Sequence, residues 1–440
     1  SVIFLFAYGG PSHVDLIDYK PALEKWHGKS IPVFDKADAF NKTTKDTAMK
    51  SPYRFERHGK SGLYISELFP QIATCADHLC ILNSLHCESN NHAPALFQMN
   101  TGFILAGRPS MGSWVTYGLG SESDSLPAFV VMWDHRGGPI GGAQNWTSGF
   151  LPAAYQGTLL RSNGTPILNL LRPGDLSHKQ QRRALDVLGW LNERHRDSRP
   201  GDSELEARIS SYELAFRMQM QAPQVVDVSQ ETREVQELYG MNDPVTAGFG
   251  RQCLLARRLV EAGVPWVTVV MENPYVSGIP MPKWGVYNWD SHAVNCHLFK
   301  DAEVRFPIYD QVITAMVEDL YARGLDRRVL LVVTGEFGRT PRITVRPGTQ
   351  TKVDQPGRDH WPSAMSMLVA GGGMQTGQVI GATNTRGEEP VQRPLTPNDL
   401  WASVYKHLGI NPEHTFPDLS GRPMPILPFG EAIRELDPVS

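Results

Sequence analysis

The sequence predicts an α/β protein with a mixed, largely parallel central sheet flanked by helices, and three observations carry that prediction. Short continuous apolar runs recur, as strands buried on both faces require. Stretches with helical spacing separate them. The residues able to do chemistry follow the runs directly, where ligands gather in such sheets. The 440 residues allow a large core and read as one domain over 1–440, with a helical excursion over 175–240.

The first apolar run, 2–7, ends at Gly9-Gly10-Pro11 and reads as a buried strand opening into a tight loop. A second run, 79–85, leads into the polar cluster 86–92, after which 94–101 reads as a helix. Residues 126–133 form a third strand, followed by the Gly- and aromatic-rich stretch 137–157, which lacks periodicity and reads as loop. From 175 the composition shifts to Arg, Glu, Gln and Leu, with Leu185, Val187, Leu188 and Leu191 at helical spacing. Beyond 240 come a helix over 253–262, a strand over 267–271, a Pro-, Gly- and Trp-rich loop to Asp290, a helix over 306–323 and a strand over 329–334.

Composition narrows the function classes. Forty-two Lys and Arg against 46 Asp and Glu give a formal charge of −4, so no overall positive field exists to hold nucleic acid or an anionic membrane. No apolar run approaches the ~20 residues of a membrane span. The five cysteines are odd in number and match no CxxC metal spacing. Ser1 runs straight into the first strand, which reads as a processed or trimmed chain.

Five loops after strands carry the residues of interest. They hold Ser12, His13 and Asp15; Glu88, Asn91 and His92; Asp290 and His292; Glu336 and Arg339; and Asp359 and His360. Carboxylates and imidazoles together are the ligand set of Zn²⁺, Mn²⁺ or a related hydrolytic ion, and the signal lies in the ensemble, since no pair here has the specificity of HExxH. A His beside an Asp also makes an ordinary hydrogen-bonded pair, Ser12 and His13 also suit a plain turn, and Glu336 also suits a partner for Arg339. Cys87 reads as a buried thiol and not as a nucleophile. Trp133, Trp146, Tyr155, Trp284, Tyr287, Trp289 and Trp361 crowd the same loops, suiting either a sugar platform or ordinary packing.

The motifs Gly9-Gly10-Pro11-Ser12-His13-Val14-Asp15, Asn91-His92-Ala93-Pro94-Ala95, Gly107-Arg108-Pro109-Ser110-Met111-Gly112-Ser113-Trp114, Trp289-Asp290-Ser291-His292, Gly335-Glu336-Phe337-Gly338-Arg339-Thr340-Pro341 and Gly357-Arg358-Asp359-His360 resemble those of the DUF1501 family across essentially the whole chain. That family is sulfatase-like and is placed with the alkaline phosphatase superfamily. The resemblance implies a metal-dependent hydrolase of sulfate or phosphate esters, exported to the periplasm or secreted, acting on a small-molecule or carbohydrate ester. It further implies a divalent ion (Zn, Mn, Ca or Mg), with ligands drawn from His13, Asp15, Asp290, His292, Glu336, Asp359 and His360. Asn91, His92 and Arg339 would contact the developing charge, and Ser12 or Ser89 would be the candidate nucleophile, although a metal-bound hydroxide needs neither. The chain departs from typical sulfatases twice. Cys87-Glu88-Ser89-Asn90-Asn91 lacks the Cys-x-Pro/Ala-x-Arg pattern that precedes formylglycine formation, and the first strand ends in Tyr8-Gly9-Gly10 without paired acidic ligands. The alternatives are a phosphomonoesterase or phosphodiesterase of the same superfamily, or a non-catalytic carbohydrate-binding protein containing a metal.

Overall fold

Eight strands make the central sheet: β1 (Val2–Phe6), β2 (Cys80–Leu85), β3 (Phe129–Trp133), β4 (Thr158–Arg161), β5 (Trp266–Val270), β6 (Leu330–Thr334), β7 (Met365–Gly371) and β8 (Gln378–Ile380). Their order across the sheet is β8-β2-β7-β6-β1-β5-β3-β4. All neighbours pair in parallel except β7, which runs antiparallel between β2 and β6. This computed structural model describes residues 1–30, 47–133, 138–161, 166–168, 170–172, 174, 176–271, 275 and 280–438.

Strand sequence explains strand position. β1 is VIFLF, buried throughout, and alternate residues feed two cores. Ile3 and Leu5 join the cluster under α5 (Ala247–Glu261) and α6 (Leu298–Ala322). Val2, Phe4 and Phe6 join the cluster under α1 (His92–Thr101), α2 (Met111–Leu119) and α7 (Pro397–His407). The period of two thus splits one strand between two faces. Phe4 meets Trp401 edge-on at 5.2 Å between ring centroids, and a Phe→Ala change at such a site costs about 3–5 kcal/mol.

The central strands expected from the sequence are present, and β4, β7, β8 and α2 are additional. Residues 137–157 hold only two short 3₁₀ turns, at Gly142–Trp146 and Ala153–Tyr155; Gly137 itself lies outside the described residues. The Arg- and Glu-rich stretch contains α3 (His178–Asp197) and α4 (Ser203–Val226), while Asp175 lies outside the described residues. Helix α6 starts eight residues before the predicted 306 and carries Pro307 within it. Buried Arg305 and Asp301, four residues apart on this early part, pair at 2.8 Å.

β1, β2, β5 and β6 all run in the same direction. Their carboxyl ends therefore open onto one edge of the sheet, where Gly9, His92, Asp290 and Glu336 follow.

Candidate metal centre

The centre is assembled from the end of β1 outward. Gly9 has φ +112°, and a Cβ there would lie 2.3 Å from the Asp290 amide nitrogen, so only glycine fits. Its N–H donates to both carboxylate oxygens of Glu336, each at 3.0 Å. Glu336 is fully buried and also takes Nδ1 of His92 at 2.6 Å. His92 opens α1, with Asn91 as its N-cap. Trp289 N donates to the Tyr8 carbonyl at 2.7 Å, tying the Asp290 loop to β1.

Asp290 is the hub. Its Oδ1 meets His292 Nδ1 at 2.5 Å, His360 Nε2 at 2.9 Å and Arg339 Nη2 at 2.9 Å. Its Oδ2 accepts from Asn295 at 2.6 Å and lies 3.3 Å from His92 Nε2. His360 comes from a short strand, His360–Trp361, paired antiparallel with Gly338–Arg339. The three ligating atoms of His92, Asp290 and His360 lie within 4.8 Å of one another.

The proton positions decide what this cluster can hold. His360 Nδ1 lies 2.9 Å from the Asn90 carbonyl, which can only accept, so the proton sits on Nδ1 and the Nε2 lone pair faces the Asp290 carboxylate. His92 donates from Nδ1 to Glu336, and its buried Nε2 makes no hydrogen bond. Burial works against an ionised Asp290, yet Arg339 and the three imidazoles outweigh it and hold the carboxyl well below its usual range. Burial also works against a charged His92, yet its contacts with Asp290 and Glu336 push it up to about 9. His360 is pushed below its ordinary value, mainly by burial. His92 thus answers the Asp290 charge with a proton on Nε2, and a divalent cation between the two imidazoles and the buried carboxylate would displace that proton and take its place.

The sequence-selected residues divide into those gathered here and those used elsewhere. Asp290, His292, Glu336, His360 and His92 converge. Glu336 stands behind His92, so it orients the ring and does not face the cluster, whereas His92 stands among the prospective ligands. His13 is buried elsewhere, with Nε2 3.1 Å from the Gly387 carbonyl. Asp15 is clamped by Arg358 at 2.8 and 3.1 Å and accepts Ser12 Oγ at 2.6 Å. Asp359 accepts Thr344 Oγ1 at 2.8 Å. Ser12, His13, Asp15 and Asp359 are thus committed to the scaffold around the site. Ser89 accepts from Asn91 N at 3.1 Å, and Asn91 Oδ1 caps α1 through Ala93 N at 3.3 Å, which keeps both in the loop beside His92. Arg339 is fully buried with its fork spent on backbone carbonyls and Asp290, so it faces the protein and not a substrate.

Asn295 and the Asn90 carbonyl escaped the sequence reading, because a lone amide five residues past an Asp and a main-chain oxygen form no motif. Cys87 is buried against Ala95 and Phe337, and burial pushes its thiol up to about 12. Trp289 is packed under Tyr309 at 4.6 Å between rings, and Trp361 lies in a small core with Ala48 and Ala364. These two are core side chains and not a sugar platform.

Fold and cluster together define an α/β protein with a buried His-Asp-His centre at the carboxyl edge of a largely parallel sheet. The chain belongs to the DUF1501 family, described as a protein of unknown function, whose model matches residues 1–436. No curated protein matches the sequence. Among solved structures, the chain is similar to Ps i-CgsB in complex with k-i-k-neocarrahexaose, at 10% identity and a TM-score of 0.37, covering 93% of this chain and 72% of that one. It is similar to the PsFucS1 sulfatase from Pseudoalteromonas sp., at 12% identity and a TM-score of 0.34, covering 93% and 67%. It is also similar to the phosphonate monoester hydrolase of Agrobacterium radiobacter, at 13% identity and a TM-score of 0.36, covering 99% and 77%. Likeness at this level carries no substrate or activity over to this chain.

Proposed function

We propose that this chain is a divalent-metal-dependent hydrolase of sulfate or phosphate esters, acting on a small-molecule or carbohydrate ester in the periplasm or outside the cell. One observation carries the reading: the Nε2 atoms of His92 and His360 both turn to the buried Asp290 carboxylate while their Nδ1 atoms are tied to Glu336 and the Asn90 carbonyl. Outer partners of this kind fix the tautomer and orientation of ligating histidines. Two imidazoles and one carboxylate suit Zn²⁺ or Mn²⁺ better than the oxygen-seeking Mg²⁺ or Ca²⁺. A divalent ion bound there would supply Lewis-acid polarisation of a sulfuryl or phosphoryl oxygen.

The chain's own groups have separate tasks in this reading. Glu336 keeps the His92 proton on Nδ1, and Asn295 and Arg339 fix the Asp290 carboxylate. The rings of Phe337 and Tyr8 lie 5.0 and 5.9 Å from that of His92 and keep water off its flanks. His292 is half-buried and held through Nδ1 by Asp290, which leaves Nε2 to exchange a proton with the leaving alcohol. Ser89, on the loop before α1, is the nucleophile candidate, because Ser12 is held by Asp15.

The test is a turnover screen of aryl sulfate, phosphate monoester and phosphodiester substrates with Zn²⁺, Mn²⁺, Ca²⁺ and Mg²⁺ in turn. The expected result is ion-dependent turnover of one class, abolished by a chelator and by His92→Ala. Silence with every substrate and every ion would sink the hydrolase reading.

A further inference from the structure

Arg339 lies beside the centre as a second, permanent cation. Its Nε donates to the Gly10 carbonyl at 2.8 Å, and its Nη1 donates to the Arg358 carbonyl at 3.2 Å. Its Nη2 contacts the Gly9 carbonyl, the Trp289 carbonyl at 3.3 Å and Asp290 Oδ1 at 2.9 Å. Five oxygens therefore surround one guanidinium, four of them main-chain carbonyls and one a carboxylate oxygen. That is the donor set a hard cation takes.

The turn at the end of β1 is shaped for this. Gly9 and Gly10 have φ of +112° and +81°, and a Cβ on Gly10 would lie 2.5 Å from the Phe337 carbonyl oxygen. Both residues must be glycine for their carbonyls to reach the guanidinium.

We infer that Arg339 stands where a second ion would otherwise sit, so the centre takes one divalent ion and not two. The inference rests on the reading of His92, Asp290 and His360 as ligands, and it adds the number of ions. Charge arithmetic supports it. Asp290 and Glu336 contribute two negative charges, Arg339 one positive and a divalent ion two, leaving a net of +1 with neutral imidazoles, enough to attract one anionic ester group. A second divalent ion would raise the buried excess to +3. The carboxylates that would offset it are committed elsewhere, Asp15 to Arg358 and Asp359 to Thr344.

Elemental analysis of the wild-type protein after dialysis against excess Mn²⁺, then Zn²⁺, provides the primary test. One ion per chain is expected. Two per chain would overturn this inference while leaving the metal reading intact, and none would overturn that reading and this inference with it. Arg339→Gln opens the oxygen cage, so its thermal midpoint should start lower than that of the wild type and rise further on addition of Ca²⁺. An equal response to Ca²⁺ in both proteins contradicts the inference. Should Arg339→Gln fail to fold, Arg339→Lys keeps the charge and must still bind a single ion, and two ions in that variant would overturn the claim.

Discussion

Two of the molecule's charge clusters are built from different materials. Under α5 and α6, Arg257, Arg258 and Arg323 face Glu231, Glu261 and Asp319. Arg257 reaches Asp319 at 2.9 Å and Glu231 at 3.0 Å, and Arg323 reaches Asp319 at 2.6 Å and Glu231 at 3.2 Å. Three guanidiniums meet three carboxylates, and Tyr239 OH adds a bond to Asp319 at 3.0 Å. At the sheet edge, two carboxylates, Asp290 and Glu336, meet one guanidinium, Arg339, and the remaining partners are imidazoles. The first cluster closes on itself because Arg and carboxylate keep their charges. The second balances its charge with a proton on His92, which a metal ion can displace, because imidazoles offer lone pairs as well as protons. A buried ion network built from arginine is architecture, whereas one built from histidine leaves a place for something else.

That contrast can be broken most readily at its two hubs. Asp290→Asn keeps the size of the side chain and removes the charge the cluster is built around, so bound ion should be lost and turnover should fall by at least ~10³-fold, about 4 kcal/mol in the barrier. Ion retained at full stoichiometry in that variant would erase the distinction. Asp319→Ala should behave oppositely. It leaves Arg257 and Arg323 with an unmatched buried charge and should cost about 3–5 kcal/mol of stability, read from the unfolding midpoint, with ion content unchanged. Loss of ion there would show that the two clusters are not separable. Glu336→Gln sharpens the comparison, because it preserves the shape behind His92 while weakening its hold on the Nδ1 proton. Ion affinity should weaken about 10–100-fold by titration, and an unaltered affinity would remove Glu336 from its orienting role.

How much of this could be read in the sequence depended on where the partners came from. β1, β2, β5 and β6 were legible because both of their faces are covered, which makes them continuous apolar runs. β7 was not, since MSMLVAG mixes Met, Ser and Gly, and its pairing with β2 carries an irregularity between Met365 and Met367. The loops bearing Asp290, Glu336 and His360 stood out because they follow strands or share a short Asp-His spacing. Sequence could not tell Asp15 and Asp359 from Asp290, because what separates them is a partner on another loop: Arg358 for Asp15, Thr344 for Asp359, and three imidazoles for Asp290. Arg339 read as a contact for an anion or a partner for Glu336 because its three-residue spacing from Glu336 is visible, whereas the carbonyls of Gly9, Gly10 and Trp289 that consume its donors are not.

The smallest expected effect belongs to Cys87. Its thiol is buried between Ala95 and Phe337, and burial pushes it up to about 12, so almost no thiolate exists at neutral pH. Cys87→Ala should leave turnover within about threefold, since Cys here is a small apolar filler. Peptide mass spectrometry should find an unmodified cysteine, and an aldehyde at this position would replace the metal-led chemistry with a covalent one.

The central claim is that His92, Asp290 and His360 hold an ion, and anomalous diffraction from a crystal soaked in Mn²⁺ reads that directly. One strong anomalous peak is expected within bonding distance of His92 Nε2, the Asp290 carboxylate and His360 Nε2, with Glu336 still on His92 Nδ1. A Mn²⁺-soaked crystal with no peak there, or with its peak on Asp15 or Asp359 instead, would contradict it.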